Sequence, residues 1–271
     1  MKEFNLVKLP NKVLENIYQD ALSPGAKELG KSLQQMTAIL KLITTPMMMV
    51  GMSCDVLLEK YQDFLINTFK KVPEENRKTP DGSIVGPLLE NVKNSFDKKI
   101  ISEMYSNLLA TSSDKGKAHY AHPAFVNIIS QFDTVDAQLL YKFKDETRLP
   151  YIKIDMFIDD SKQPVHVLSS CTYLKGYEDD YIIIASSLQN MERLGIIYGD
   201  DPIIPVKFNE TFDMICKLPA LSKFMEINGY LAENKKGVTS VIKRGCYRLT
   251  ELGTRFFIAC QEEIKEETRE I

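Results

Sequence analysis

Apolar residues in the first half of the chain recur every three or four positions, which is the spacing of one face of an α-helix. One such stripe runs from Val13 to Ala21, a second from Leu29 to Ile43 and a third from Met47 to Phe69. Between them, Ser23-Pro24 and Thr45-Pro46 each place a helix-capping residue before a proline, and proline suits the first helical position. The pattern predicts three successive helices.

The Met-rich region 36–58 lies within this part of the chain, and Pro46 divides it into two predicted helices. Its uncharged part runs from Leu42 to Cys54, which is shorter than the roughly 20 residues that a membrane-spanning helix needs. Two interpretations remain open, a hairpin buried in the core and a segment that contacts a membrane or a partner protein. The candidate contact residues in the second case are Met47, Met48, Met49 and Val50.

The polar segment from Pro73 to Ser83 predicts a loop, and helical spacing resumes after it. Ile84 to Phe96 and Asp97 to Thr111 predict two helices, and a short helix is expected to begin at Pro123 with His122 as its cap. We therefore predict a helical domain over 1–130.

The second half of the chain contains strand patterns as well. Apolar residues alternate from Ile152 to Ile158, which predicts a strand, and 163–168 is expected to pair with it. Helical spacing returns from Tyr181 to Leu194 and ends at Gly195, a typical C-terminal cap.

The last part of the chain predicts a hairpin followed by a helix. Val238 to Ile242 and Cys246 to Leu249 are expected to form the hairpin, with the turn near Arg244-Gly245, and Thr250 to cap the helix. Two helices, a hairpin and a closing helix match the layout of a winged-helix domain. The predicted fold class is thus mainly α, with an N-terminal helical bundle followed by a winged-helix-like α+β domain. The second domain covers 131–262 with a small β insertion, and 263–271 is a charged tail.

A winged helix that reads DNA must offer hydrogen-bond donors and positive charge to the duplex. The predicted helix 181–194 follows three acids, and six polar residues are expected on its exposed face: Ser186, Ser187, Gln189, Asn190, Glu192 and Arg193. This is a poor surface for phosphate. The hairpin offers better candidates for nucleic-acid contact in Lys243, Arg244 and Arg248. Protein contact is the favoured use of this domain, with DNA binding as an alternative.

The composition is that of a folded globular protein, since 44% of residues are hydrophobic and 26% are charged. The net charge of −3 provides no overall attraction to nucleic acid or anionic lipid. Five cysteines without a CxxC pair favour reduced thiols, so we expect a cytoplasmic protein. Association with a membrane on activation is left open because of the Met-rich region.

Few residues in the sequence suggest catalysis or metal binding. His119 and His122 are three positions apart, but no neighbouring residue completes a set of metal ligands, so we expect no metal and no cofactor. Neither a Gly-rich phosphate loop nor a hydrolase motif occurs. We assign no catalytic residue and favour a protein that is not an enzyme, although a nuclease or other hydrolase built around Asn107 to His122 stays open.

Three segments carry a family resemblance: YQDALSPGAKELGKSL at 18–33, TPDGSIVGPLLENV at 79–92 and MYSNLLATSSDKGKAHYAHPAFVNII at 104–129. They resemble the Abi-alpha family, which is named for abortive infection in bacteria, and the likeness continues through 188–197 and 247–257. The family motif corresponds here to Asn107, Leu108, Leu109, Ala110, Asp114, His122, Pro123 and Phe125.

Our interpretation of the motif residues themselves is architectural. Leu108, Leu109 and Phe125 are expected to pack two helices together. Asn107, Asp114 and His122 are expected to satisfy backbone groups in the loop between those helices.

The resemblance implies a protein of mobile elements and prophages that defends against phage by stopping the infected cell. We predict that it acts without catalysis, through contact with an unknown protein partner or phage component, or by perturbing a membrane. Self-association is left open, and nucleic acid is not expected as a partner. The alternatives are a winged-helix DNA-binding regulator of a mobile element and a nuclease or other hydrolase.

Overall fold

The computed structural model describes residues 54–158, 165–199, 204–219, 221–222, 226 and 238–261. The predicted helices before residue 54, most of the Met-rich region 36–58 and the charged tail lie outside this part of the chain, as do Met47, Met48, Met49 and Val50.

The described residues are mainly helical and include one antiparallel sheet. The helices are α1 (Cys54–Phe69), α2 (Gly82–Val92), α3 (Lys99–Ser112), α4 (Ala124–Ser130), α5 (Thr134–Tyr141), α6 (Tyr181–Arg193), α7 (Asn209–Cys216) and α8 (Glu251–Cys260). The strands are β1 (Leu149–Ile158), β2 (Val165–Cys171), β3 (Ile197–Tyr198) and β4 (Val238–Leu249). The mainly α prediction is confirmed.

Helix α3 lies at the centre of the helical part and packs against α1, α2, α4, α5 and α8. Every residue from Met104 to Ser112 is buried, including the polar residues of that segment. A helix with neighbours on all sides has no solvated face, so its polar side chains must find partners inside the protein.

The four strands are ordered β2-β1-β4-β3 and neighbours are antiparallel. The pairing of β1 with β2 confirms the expected partner of the first strand. Strand β4 pairs with β1 without interruption from Val238 to Tyr247, so the predicted hairpin with a turn near Arg244-Gly245 is wrong.

Gly245 has a different role from the predicted turn. It lies opposite Tyr151 in the sheet, and a Cβ atom at Gly245 would be 2.5 Å from atoms of the Tyr151 phenol. The position therefore requires glycine because an aromatic ring packs directly on the backbone.

Alternation along β1 assigns its side chains to two hydrophobic clusters. Tyr151 belongs to a large cluster that contains residues of α1 to α6 and α8, whereas Ile152 and Ile154 belong to a smaller one built with α7. The large cluster includes residues from both sides of position 130. The division into domains at that point stays a prediction.

Several helix ends follow the predicted chemistry. The Thr250 hydroxyl accepts a hydrogen bond from the Gly253 N–H at 2.8 Å, and Nδ1 of His122 accepts one from the Ala124 N–H at 3.1 Å. Gly195 follows α6 with a φ of +71°, the left-handed conformation that favours glycine. The caps at Thr250 and Gly195 are confirmed. The helix expected from Pro123 begins one residue later, at Ala124, and His122 binds its first N–H from the position before the N-cap Pro123.

Candidate functional site

Two polar side chains of the family motif region bind the end of the last helix. Asn107 and Thr111 lie one turn apart on α3, and both are buried. Nδ2 of Asn107 donates to the Cys260 carbonyl at 3.0 Å, and the Thr111 hydroxyl donates to the Ala259 carbonyl at 3.1 Å. The last carbonyls of a helix have no partner within it, so α3 supplies these partners for α8.

Lys71 fixes the orientation of the Asn107 amide. Its ammonium donates to Oδ1 of Asn107 and to Oε1 of Glu103, both at 2.5 Å. The amide thus accepts from a cation on one side and donates to the carboxyl end of α8 on the other. A positive charge near that end also interacts favourably with the helix dipole.

Asp114 holds the turn that follows α3. Its Oδ1 accepts a hydrogen bond from the Gly116 N–H at 2.7 Å. The neighbouring backbone pairs with the segment after α1, since the Lys78 N–H donates to the Ser113 carbonyl and the Lys115 N–H to the Asn76 carbonyl, each at 2.8 Å.

Arg255 is a further residue of this region that the sequence interpretation missed. Its guanidinium donates to the carbonyls of His119, Tyr120 and Ala121 at 2.8 to 3.0 Å. It thereby joins α8 to the loop that contains the two histidines. A single arginine within the otherwise apolar run LGTRFF was the only sequence feature that could have indicated this role.

The apolar motif residues are buried as expected. Leu108, Leu109 and Phe125 have no exposed surface and belong to the large cluster, where the Phe125 ring packs edge-on against Phe256 at 5.2 Å. The expectation for Asn107 was wrong in one respect, because its partner is the end of α8 and not the loop between α3 and α4.

A narrow cleft borders these polar groups. It is lined by Lys71, Val72, Asn107, Ala110, Thr111, Asp114, Lys117 and Ile258, and its volume is about 20 Å³. That volume holds about one water molecule. Within the described ranges, no three His, Cys, Asp or Glu residues are grouped so as to hold a metal ion.

A second polar contact joins α5 to α6. Asp133 and Asp136 form a reciprocal capping box at the start of α5, and Nδ2 of Asn190 on α6 donates to Oδ2 of Asp136 at 3.0 Å. The pKa of Asp136 is raised to about 6, mainly by burial and to a smaller extent by the charge of Asp133. The backbone N–H of Asp133 and the Asn190 amide oppose that shift by hydrogen bonding to the carboxylate.

The predicted recognition face of α6 is partly used inside the protein. Ser187, which was expected to be exposed, is only 3% exposed, because it lies on the side of the helix that packs inward. The Asn190 amide and the Arg193 guanidinium both donate to Gln131, at 2.9 Å each. Two of the six predicted base-reading residues are thus bound to the segment between α4 and α5.

The three candidate nucleic-acid contacts on β4 also have partners within the chain. The Lys243 ammonium lies 2.6 Å from the buried Asp155 carboxylate. The guanidinium of Arg244 stacks on Phe212 and that of Arg248 on Tyr198, at 5.3 Å and 5.0 Å from the ring centres. These contacts moderate the positive charge that β4 presents.

No helix in the described part of the chain has the length and apolar character needed to cross a bilayer. The Met-rich candidates lie outside that part.

The buried polar contacts between α3 and α8 belong to a mainly helical protein in which the motif residue Asn107 ties the central helix to the end of α8. The chain matches the model of the Abortive infection alpha (Abi_alpha) family over residues 55–260. Because this match covers most of the sequence, the chain belongs to that family, and the predicted resemblance is confirmed.

No curated protein matches the chain. A solved structure of an uncharacterized protein from the hydrocarbon-degrading marine bacterium Alcanivorax borkumensis SK2 is similar over 53% of this chain and 93% of that one, with 13% identity and a TM-score of 0.32. A likeness at this level does not inform the function.

Proposed function

We propose that this protein acts in phage defence by abortive infection, and that it does so by binding another protein without catalysing a reaction. Family membership supports the role in abortive infection. The observation that carries the mechanism is the use of the motif side chains, because Asn107, Asp114 and His122 each form a hydrogen bond that shapes the backbone.

Burial makes this architectural role costly to lose. Removing a buried donor leaves its carbonyl partner without a hydrogen bond, which costs about 1–3 kcal/mol. The Asn107 amide serves two partners, so the motif contributes to stability at the junction of three helices, α1, α3 and α8. These structural roles account for the motif residues without a catalysed reaction.

Contact with a partner requires exposed apolar surface, and the start of α6 provides it. Ile182 is 66% exposed and Ile183 is also exposed, directly after the acidic residues Asp179 and Asp180. We call Asp179 to Ile183 the α6 patch. An exposed isoleucine pair with neighbouring acids suits a partner surface that is apolar at its centre and basic at its rim.

To test the proposal, the chain is expressed in cells with and without phage. Growth, membrane potential and nucleic-acid integrity are measured together. Ile182→Asp with Ile183→Asp should abolish protection, while Asn127→Asp, an exposed change on α4, should preserve it. His122→Ala, in a chain that still folds, should protect as well as wild type. Nucleic acid that is degraded on induction and spared by His122→Ala would contradict the proposal and favour a hydrolase.

A membrane route is part of the same proposal and concerns the Met-rich region. Methionine side chains adapt to irregular partners and to lipid. If this region inserts on activation, membrane potential should fall during infection, and Met47→Asp, Met48→Asp and Val50→Asp should prevent the fall. An unchanged potential, with only solubility altered by these substitutions, would exclude the membrane route and leave protein contact.

The winged-helix interpretation of 131–262, with DNA regulation as its use, is the second candidate. Strands β1 and β2 lie between α5 and α6, and α7 lies between β3 and β4; with these treated as insertions, the remaining order α5, α6, β3 paired with β4, and α8 favours it. Lys153 also lies directly opposite Lys243 in the sheet, which adds positive charge there. A salt-dependent affinity for the chain's own promoter, lost when Lys243, Arg244 and Arg248 are replaced by alanine, would support it. No binding at low salt would exclude it.

A further inference from the structure

A groove of about 230 Å³ opens between α1 and α3. Its lining residue Glu103 binds Lys71, which lines the narrow cleft beside Asn107, here called the motif cleft. Asp63 and Asn67 line the groove from α1, Glu103 and Ser106 from α3, and Phe96 from the turn before α3. We call this the α1–α3 groove. Its volume is sufficient for a small organic molecule, whereas the motif cleft holds about one water molecule.

The hydroxyl at the bottom of the groove can only accept hydrogen bonds from a ligand. The Thr68 hydroxyl donates its one proton to the Phe64 carbonyl at 2.7 Å. The 2.9 Å contact between the Thr68 and Ser106 hydroxyls must therefore use the proton of Ser106. Since Ser106 is buried, its remaining lone pairs are the polar groups that it offers to the groove.

The charged groups of the groove also favour a donor. Asp63 and Glu103 supply two carboxylates, and carboxylates accept hydrogen bonds. Oε1 of Glu103 accepts from the Lys71 ammonium, which compensates part of its charge, and Asp63 supplies an exposed carboxylate. Lys60, the cation among the described lining residues, donates to Asp97 at 2.9 Å.

An aromatic wall completes the site. The half-buried Phe96 ring is held by edge-on packing against Tyr61, with ring centres 5.1 Å apart. The face of a phenyl ring attracts ammonium and guanidinium groups. Hydrogen-bond acceptors and the Phe96 ring thus line the same groove.

We propose that the α1–α3 groove binds a small organic cation, with its ammonium or guanidinium head between the carboxylates of Asp63 and Glu103 and its chain against Phe96. This site is separate from the protein contact proposed above, and either can fail without the other. An ammonium offers three donors and a guanidinium five, and both match a site of acceptors.

Isothermal titration of the full chain with agmatine, which carries both kinds of head, tests the site. Cadaverine and ethylguanidine separate the two heads. We expect saturable binding that weakens with salt. Asp63→Asn should weaken it up to about fivefold, because Asp63 is exposed and an ion pair at an exposed carboxylate contributes at most about that factor. Asp179→Asn removes an exposed carboxylate outside the groove and should leave the affinity unchanged.

The second part of the experiment uses a variant that should bind agmatine more tightly. Asn67→Asp adds a third carboxylate to the groove and should tighten agmatine binding severalfold, a result that misfolding cannot imitate. Butanol, which lacks the charge, should not compete. No saturable binding of any of the three cations, or equal affinities of the Asp63→Asn and Asp179→Asn variants, would overturn the proposal.

Discussion

The contacts α3–α8 and α5–α6 both join helices through buried polar side chains, but they use different chemistry. At α3–α8, neutral groups of Asn107 and Thr111 donate to backbone carbonyls. At α5–α6, the carboxylate of Asp136 accepts from Asn190, and burial raises its pKa to about 6. The comparison teaches that the α3–α8 contact should contribute equally at any ordinary pH, whereas the fold should lose stability at α5–α6 as Asp136 ionises, because burial disfavours its charged form.

The largest expected effect is at Asn107. Asn107→Ala leaves the Cys260 carbonyl and the Lys71 ammonium without their shared partner in a buried place. We expect a loss of about 3 kcal/mol in the free energy of unfolding. Urea denaturation followed by circular dichroism measures it. Asn127→Ala, at an exposed position on α4, is the control and should cost less than about 0.5 kcal/mol.

The loss at Asn107 should be the same at pH 5 and pH 7, because the groups it joins to α8 are neutral. A loss that differs by more than about 1 kcal/mol between the two pH values would show that the α3–α8 contact is coupled to a titrating group. That result would remove the distinction between the two contacts.

The next effect concerns the pH dependence set by Asp136. Its folded pKa of about 6 lies above the unfolded value of about 3.9, so the folded state binds more protons between these values. The contribution of Asp136 to the free energy of unfolding should therefore be highest below about pH 4. It should fall by about 2 kcal/mol as the pH rises to 7.

Asp136→Asn tests this by removing the carboxylate while keeping an acceptor for the Asp133 N–H. The variant should lose less stability than wild type between pH 5 and pH 7 in urea titrations. An unchanged slope would mean that another group carries the pH dependence. Glu75→Gln, an exposed carboxylate, is the matched control and should keep the wild-type slope.

A smaller effect is expected at Thr111. Thr111→Val preserves the shape of the side chain and removes the donor to the Ala259 carbonyl. The expected cost is about 1 kcal/mol, less than at Asn107, because one neutral hydrogen bond is lost and no cation is involved. Thermal unfolding at pH 7 measures it. A cost equal to that of Asn107→Ala would show that Lys71 adds nothing to the Asn107 contact.

The sequence predicted those features that depend on neighbouring residues. His122 and Thr250 each bind a backbone N–H within three positions along the chain. The end of α6 at Gly195 depends on the backbone angle of that residue alone. Such contacts are set by local geometry. The apolar spacing around Leu108 and Leu109 likewise indicated that both side chains are buried, because a helical stripe of this kind faces the core.

What the sequence could not predict depends on distant pairs. Asn107 and Cys260 are separated by 153 positions, and nothing near Asn107 identifies its partner. Gly245 was expected in a turn because glycine is common there, but its cause is the ring of Tyr151 on the neighbouring strand. The α1–α3 groove also requires the packing of two helices before its lining residues meet.

The smallest expected effect separates the buried and exposed parts of the α5–α6 contact. The exposed Arg193 guanidinium donates to Gln131 and to Asn190, near the buried Asp136. Exposed hydrogen bonds are exchanged for water at little cost, so Arg193→Ala should change the unfolding free energy by about 0.5 kcal/mol or less. It should also leave the slope with pH unaltered. A cost near 2 kcal/mol in urea denaturation would show that the exposed network, and not the buried acid, holds α6 on α5.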